Sequence, residues 1–138
     1  MRIVLDTNAL LISIPKKSKY RVIFDRFLAN HFSIVISNDI LSEYAEIIAQ
    51  KANSIVSTNI IEMLISAKNV EKQDIYFKWQ IIDIDKDDNK FVDCAIAGNV
   101  DCLITNDKHF EVVKSIGFPP VTVLSIDEFI DILVNDKY

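Results

Sequence analysis

The sequence predicts an α/β domain with a central, mainly parallel sheet, on three observations. Short apolar runs without helical period alternate along the chain with amphipathic segments of 3.6-residue period. The runs are continuously apolar rather than alternating, as strands buried on both faces are. The 138 residues, half of them hydrophobic, are enough for one core without disulfide or metal staples, and no repeat, linker or low-complexity tract divides them. A single domain over 1–138 is therefore expected.

In chain order, residues 2–6 (RIVLD) read as a buried strand ending on a carboxylate. After a loop around Pro15, Val22, Ile23, Phe24 and Phe27 line one side of a helix that Ser18 can cap. Residues 32–37 (FSIVIS) form a second strand. From Asn38, the apolar positions Ile40, Leu41, Tyr44, Ile47 and Ile48 mark a helix of about three turns. Another helix is expected over 58–68. The stretch 70–85 has no clear period, and 75–79 is its best candidate strand. Residues 88–97 form a helix closed by Gly98, 101–105 (DCLIT) a strand, and 108–115 a helix closed by Gly117. Pro119 and Pro120 lead into a last strand at 121–124, and Ser125 caps a final helix through Leu133.

Composition narrows the function. The net charge of -5 and a pI near 4.9 exclude a protein that holds nucleic acid simply by being basic, though not one that uses bound divalent cations. Cys94 and Cys102 lie in apolar stretches and form no C-x-x-C or Cys/His array, so reduced core thiols are expected. No apolar run approaches the roughly 18 residues that span a bilayer, and no secretory signal is visible, so a cytoplasmic protein is expected. Counting acids gives 14 Asp against 6 Glu. A biased genome accounts for part of that excess; position must account for the rest.

Ligands of such sheets bind outside the carboxyl ends of the strands, where the strand order reverses. Asp6 ends the first strand, and Asp107 follows the strand at 101–105 by two residues. Each is also a natural cap or turn residue. Asp93 sits mid-helix among Phe91, Val92, Cys94, Ala95 and Ile96, where a carboxylate is at least half buried and needs a cation, hydrogen bonds or a Lys or Arg partner. Glu43 falls about 100° from the centre of its helix's apolar stripe and Glu46 about 160°, which puts Glu43 at the core boundary and Glu46 in solvent. Four converging carboxylates without His or Cys favour Mg²⁺ or Mn²⁺ over Zn²⁺, and phosphodiester cleavage is the chemistry that most often uses such ions.

The motif LDTN at 5–8, Glu43 in ILSEY, the stretch DDNKFVDCAIAGNVDCLITNDKHF at 87–110 and the overall length together resemble the PIN-domain family. Within it, they are most similar to the VapC-like ribonuclease toxins of prokaryotic toxin–antitoxin modules. The resemblance spans nearly the whole chain except 52–82. It implies a three-layer α/β/α sandwich and metal-dependent cleavage of RNA in the cytoplasm, with one or two Mg²⁺ or Mn²⁺ ions. It carries the family's acids onto Asp6, Glu43, Asp93 and Asp107, with Asn8 and Thr105 as supporting polar residues. Asp88 is either an accessory metal ligand or, as preferred, the cap of the Asp93 helix, and His109 is a bystander. The implied reaction is in-line attack by activated water, leaving a 5′-phosphate and a 3′-hydroxyl without a covalent intermediate. Two bound ions would move the net charge from -5 to about -1 by addition.

The only dense basic cluster, Lys16, Lys17, Lys19 and Arg21 with Tyr20 among them, is either an RNA-contacting edge or a solvated loop. As a toxin, the chain would bind a small antitoxin protein and could form a homodimer. The competing readings are a PIN-fold nuclease of RNA maturation and an inactive RNA- or protein-binding module. A phosphatase using two Asp two residues apart is excluded by Asn8, and a receiver domain by the missing acidic pair and mid-strand Asp.

Overall fold

The apolar runs become five short strands: β1 (Arg2–Leu5), β2 (Ser33–Ile36), β3 (Val70–Lys72), β4 (Cys102–Ile104) and β5 (Val123–Leu124). In the computed structural model, which describes residues 1–135, they form one wholly parallel sheet in the order β3-β2-β1-β4-β5. Ile3 lies level with Ile34 on one side and Cys102 on the other. Beyond Arg2 and Ser33 at their starts, the central strands are almost fully buried, as their apolar sequences require.

Among the described residues six helices lie between the strands and a seventh follows β5: α1 (Thr7–Ser13), α2 (Arg21–Leu28), α3 (Asn38–Lys51), α4 (Ser54–Ser66), α5 (Asn89–Ala97), α6 (Glu111–Lys114) and α7 (Ile126–Val134). The chain leaves β1 toward β2 and β3, then crosses back to β4 and β5 on the other side of β1. Crossovers of one hand that run in opposite directions cover opposite faces, which yields the expected α/β/α layers. α5 packs on β1, β2 and β4, while α1 packs on α2 and α3, and α2 packs on α7. The reversal falls between β1 and β4, so a crevice opens between their carboxyl ends.

Several elements depart from the sequence reading for identifiable reasons. Helix α1 was not expected; it begins at once after β1 because Asp6 caps it, accepting from the Ala9 amide at 2.7 Å. Ser18 does not cap α2, whose first turn follows Tyr20; the Ser18 hydroxyl instead donates to Ile12 O. Helix α4 starts at Ser54 rather than 58, capped by Asn53. The strand sought at 75–79 forms instead at Val70–Lys72, and 73–85 is an irregular strap across α5, with Gln80 at φ 54°. Side chains of α5 satisfy the strap's backbone: Asn89 clasps Ile82 through both its N–H and its C=O at 2.8 Å, and Asp93 accepts from the Trp79 amide at 3.0 Å. The helix expected at 108–115 is a 3-10 turn at Lys108–Phe110 followed by the single turn α6.

Gly98 closes α5 as expected, but for its size rather than for a left-handed backbone. A Cβ there would lie 3.1 Å from both Cys94 O and a Val35 methyl, where the helix end meets the sheet. Ser125 and Glu128 form a reciprocal capping box on α7. Cys94 and Cys102 are free and buried, and burial pushes both thiols up to about 12, so neither supplies a thiolate near neutral pH.

Candidate functional site

At the crevice, β1 delivers Asp6 and β4 delivers Thr105 and Asp107. Asp6 is only 6% exposed. Its two oxygens serve different neighbours: Oδ1 takes the Ala9 amide, and Oδ2 takes a short hydrogen bond from the Thr105 hydroxyl. Thr105 Oγ1 in turn accepts from the Asp107 amide at 3.0 Å, so one hydroxyl spaces the two aspartates. Asp107 caps the 3-10 turn by accepting from the His109 amide at 2.9 Å. Both aspartates thus act as caps and as cleft acids at once, since a cap needs only one carboxylate oxygen.

The third side of the cleft is the start of α5. A crossover helix running antiparallel to the strands begins at their carboxyl edge, so its first residues come level with Asp6 and Asp107. Asp88 occupies that position and makes no cap hydrogen bond; its Oδ2 lies 2.9 Å from His109 Nδ1. The cap preferred for Asp88 is therefore not made; Asp85, one turn earlier, accepts from the Asp87 amide instead. His109 Nδ1 is also 3.5 Å from Asp107 Oδ1, and the ligand atoms of Asp85, Asp88 and His109 lie within 4.8 Å of one another. His109, read as a bystander, bridges two of the cleft acids.

Asp93 does not join them. Five residues further along α5 is about 7.5 Å down the helix at 1.5 Å per residue. There its carboxylate, 5% exposed, holds the Trp79 amide and lines a separate cavity. Glu43 lines the acid cleft with Asp6, Asp88 and Asp107, and Glu46 is exposed, matching the helical geometry. Both Glu43 oxygens are engaged: Oε1 by Lys90 Nζ at 2.7 Å and Oε2 by a short hydrogen bond from Thr7. Asn8 is exposed on the cleft wall. The cleft encloses about 250 Å³.

The basic cluster lies elsewhere. None of Lys16, Lys17, Lys19 or Arg21 lines the cleft. Arg21 is committed to the fold: its guanidinium pairs with Asp25 at 2.9 Å, donates to Ile14 O and lies over the Phe24 ring. Lys19 lies over the Tyr20 ring, 4.9 Å from its centre.

Electrostatics mark Asp6 as the most perturbed acid of the cleft. Burial raises its pKa from the ordinary 3.8 to about 6, against the Thr105 and Ala9 hydrogen bonds, and the charges of Asp107 and Asp88 add to the rise. Burial also raises Asp88, opposed by its bond to His109. The bond to Asp88, with the surrounding carboxylates, raises His109 in return. Burial raises Asp93 too, and the Trp79 amide and the Lys78 charge oppose it. A cleft that crowds acids until one resists ionisation gains most when a cation supplies the missing charge. The donors are carboxylate oxygens with one imidazole, a set that suits a hard divalent ion.

Sequence reading missed Asp85 and His109, and it named Asp88 as an accessory ligand while preferring the cap. The available signal was position: the D-x-D-D run at 85–88 immediately precedes a helix that starts at the sheet's carboxyl edge, whereas Asp93 must lie well below that edge.

Known proteins match on family and fold. The model of the family described as PIN domain matches residues 2–109. VapBC2 from Rickettsia felis, solved bound to a DNA fragment from its promoter, is similar over 91% of this chain and 98% of its own, at 19% identity and a TM-score of 0.63. VapC20 of Mycobacterium tuberculosis, described as a sarcin-ricin loop cleaving toxin, aligns over 88% of this chain and 98% of its own, at 8% identity and a TM-score of 0.59. VapBC-1 from nontypeable Haemophilus influenzae aligns over 92% and 99%, at 19% identity and 0.58. No curated protein sequence matches the chain.

Proposed function

Since the chain belongs to the PIN-domain family, we propose that it is a divalent-metal-dependent endoribonuclease whose catalytic centre is the cleft between β1 and β4. The observation that carries this reading is buried Asp6, raised to about 6 by desolvation and by the neighbouring charges of Asp107 and Asp88. Asp6, Asp88 and Asp107 would hold the ion, Mg²⁺ or Mn²⁺, with Asp85 and His109 flanking them and Glu43 on the same wall. The ion would supply Lewis-acid stabilisation of charge on a scissile phosphodiester and acidify an attacking water.

The chain's own residues do the rest. Thr105 fixes the separation of Asp6 and Asp107 through its two hydrogen bonds. Thr7 and Lys90 clamp Glu43, so its carboxylate faces the cleft in one orientation. Asn8, exposed beside Asp6, offers an amide to a phosphate oxygen or sugar hydroxyl. Asp93 stays outside the reacting set and anchors the strap through Trp79.

The toxin role, a small antitoxin as partner, homodimerisation and a cytoplasmic location belong to the same proposal. The similarity to VapBC structures and to a described toxin supports the first two. Among the described residues no helix is long and apolar enough to cross a membrane. The test is cleavage of an RNA panel with Mg²⁺, Mn²⁺ or EDTA, comparing wild type with Asp6→Asn and Asp88→Asn. Metal-dependent cutting that both substitutions abolish is expected. Cutting in EDTA, or full activity in both variants, defeats the reading.

A further inference from the structure

Beside the acid cleft lies a second cavity, of about 200 Å³, into which Lys78, Lys86 and Lys90 all reach. Lys90 is tied to Glu43, and through that ion pair the cavity and the cleft share a wall. Lys78 and Lys86 have no hydrogen bond or ion pair among the described residues, although the charge of Lys78 acts on Asp93 at the base of the cavity, so both ammonium groups keep their donors open to this space. Exposed Asp39 and Asp87 and buried Asp93 share the lining. A bare anion would be repelled by these carboxylates. A nucleotide suits both, with its phosphate on the lysines and its ribose or base donors on the acids.

The strap that supplies Lys78 also bears rings that the fold leaves in solvent. Tyr76 is 90% exposed, Phe77 63% and, from the loop before β5, Phe118 77%. Trp79 stands between the last two, its ring 4.7 Å from Phe77 and 6.3 Å from Phe118 by centroid, both edge to face. Lys78 sits between Phe77 and Trp79 in sequence, so a lysine on the cavity and rings beside it come from three consecutive residues. Aromatic faces interleaved with cations along a groove are how proteins hold unpaired bases and the backbone that joins them. The same faces could cover a protein partner. Lysines without an ion-pair partner beside the rings, and a wall shared with the proposed phosphodiester-cleaving cleft, favour RNA.

We propose that this cavity and the Phe77–Trp79–Phe118 rings form a track for single-stranded RNA that seats a nucleotide adjoining the one cut. The proposal rests on the nuclease reading, deepens it by assigning the residues that seat the flanking nucleotide, and replaces the KKSKYR loop as the nearest backbone contact.

Trp79 is the only tryptophan, so its emission reports directly on the track. The experiment titrates the whole chain, in EDTA to prevent cutting, with a uridine decamer, a blunt RNA duplex or inorganic phosphate. The decamer should quench Trp79, while duplex and phosphate leave it unchanged. The Lys78→Ala/Lys86→Ala double variant should bind the decamer at least about tenfold more weakly, with its salt slope reduced by about 1.4, or 0.7 for each lost phosphate contact. Phe77→Ala and Phe118→Ala should each lose about five- to tenfold. Lys16→Ala/Lys17→Ala should lose less than the cavity pair.

An unquenched Trp79, or a cavity double variant that binds as wild type does, overturns the proposal. So does emission that moves only when a cognate antitoxin is added, since the rings are then a protein interface. Cleavage separates the two claims: wild type cutting in Mn²⁺, with cavity variants of unchanged KM, defeats the track alone. A wild type that binds and quenches but never cuts defeats the nuclease reading alone.

Discussion

Replacing Asp6 by Asn should make the metal-free protein more stable, although it destroys the proposed centre. Asp6 is raised from 3.8 to about 6 in the folded chain, a difference of about 2 units, or about 3 kcal/mol at 1.36 kcal/mol per unit. For a group raised on folding, the favourable contribution is complete below the unfolded pKa and is lost as pH rises through the folded one. Without divalent ions, stability should therefore fall between about pH 4 and pH 7 as Asp6 is forced to ionise in its buried setting. Asn keeps the Oδ1 acceptor for the Ala9 amide and is an equally good cap. Its Nδ2 can donate to the Thr105 hydroxyl, which now donates to Asp6.

Some rearrangement around Thr105 will offset part of the gain, so about 1–3 kcal/mol is expected at pH 7.5 and about a third of that at pH 4.5, because the unfolded chain is already ionised there. Urea denaturation of both proteins in EDTA across this range measures it. Asp88 and Asp93 are raised too and slope the same way, but they are common to both proteins, so the difference between the curves isolates Asp6. A variant less stable than wild type at pH 7.5, or a difference independent of pH, would refute the electrostatic argument.

Other consequences are equally concrete. Asn89→Ala leaves the Ile82 N–H and C=O unpaired where they are buried, so a loss of about 2–4 kcal/mol by urea denaturation is expected, with faster proteolysis within 73–85. Gly98→Ala should cost about 1–3 kcal/mol, because the new methyl meets Cys94 O and Val35 at 3.1 Å; a neutral result would mean the helix end can shift. Asp88→Asn should lower the pKa of His109, read by NMR titration of the ring, since the bond to Asp88 is the main cause of its rise. An unmoved His109 would place that bond elsewhere in solution.

Strands β1, β2, β4 and β5 were legible because strands buried on both faces leave unbroken apolar runs, and the helix from Asn38 and the Ser125 cap were written in the local pattern. Helix α1 was not, since ALLI within TNALLIS has no polar face to set a period, so the cap that Asp6 could make pointed to no particular helix. The strap at 73–85 was illegible for a different reason: its backbone is satisfied by Asn89 and Asp93, side chains distant in sequence.

At the site, sequence order placed Asp6 and Asp107 at strand ends, where the structure has them. Burial was the guide to Asp93, and it is indeed buried, but burial does not say toward what. Only the direction of α5 relative to the sheet separates Asp88, at the crevice, from Asp93, beneath the strap. His109 was set aside because it lay outside the resembling pattern, and its two carboxylate neighbours come from different parts of the chain.

The central claim is that the crevice between β1 and β4 is a cation site built on Asp6, Asp88 and Asp107. Calorimetric titration of Mn²⁺ into the whole chain at pH 7.5, with thermal stability at saturating ion as a second readout, tests it directly. Wild type should bind and gain about 2.7 kcal/mol at one hundred times its Kd. Asp6→Asn and Asp88→Asn should each lose at least about tenfold in affinity, while Asp93→Asn, which keeps an acceptor for Trp79, should bind as wild type does. Undiminished binding in Asp88→Asn together with its loss in Asp93→Asn would contradict the account and move the centre to the far side of α5.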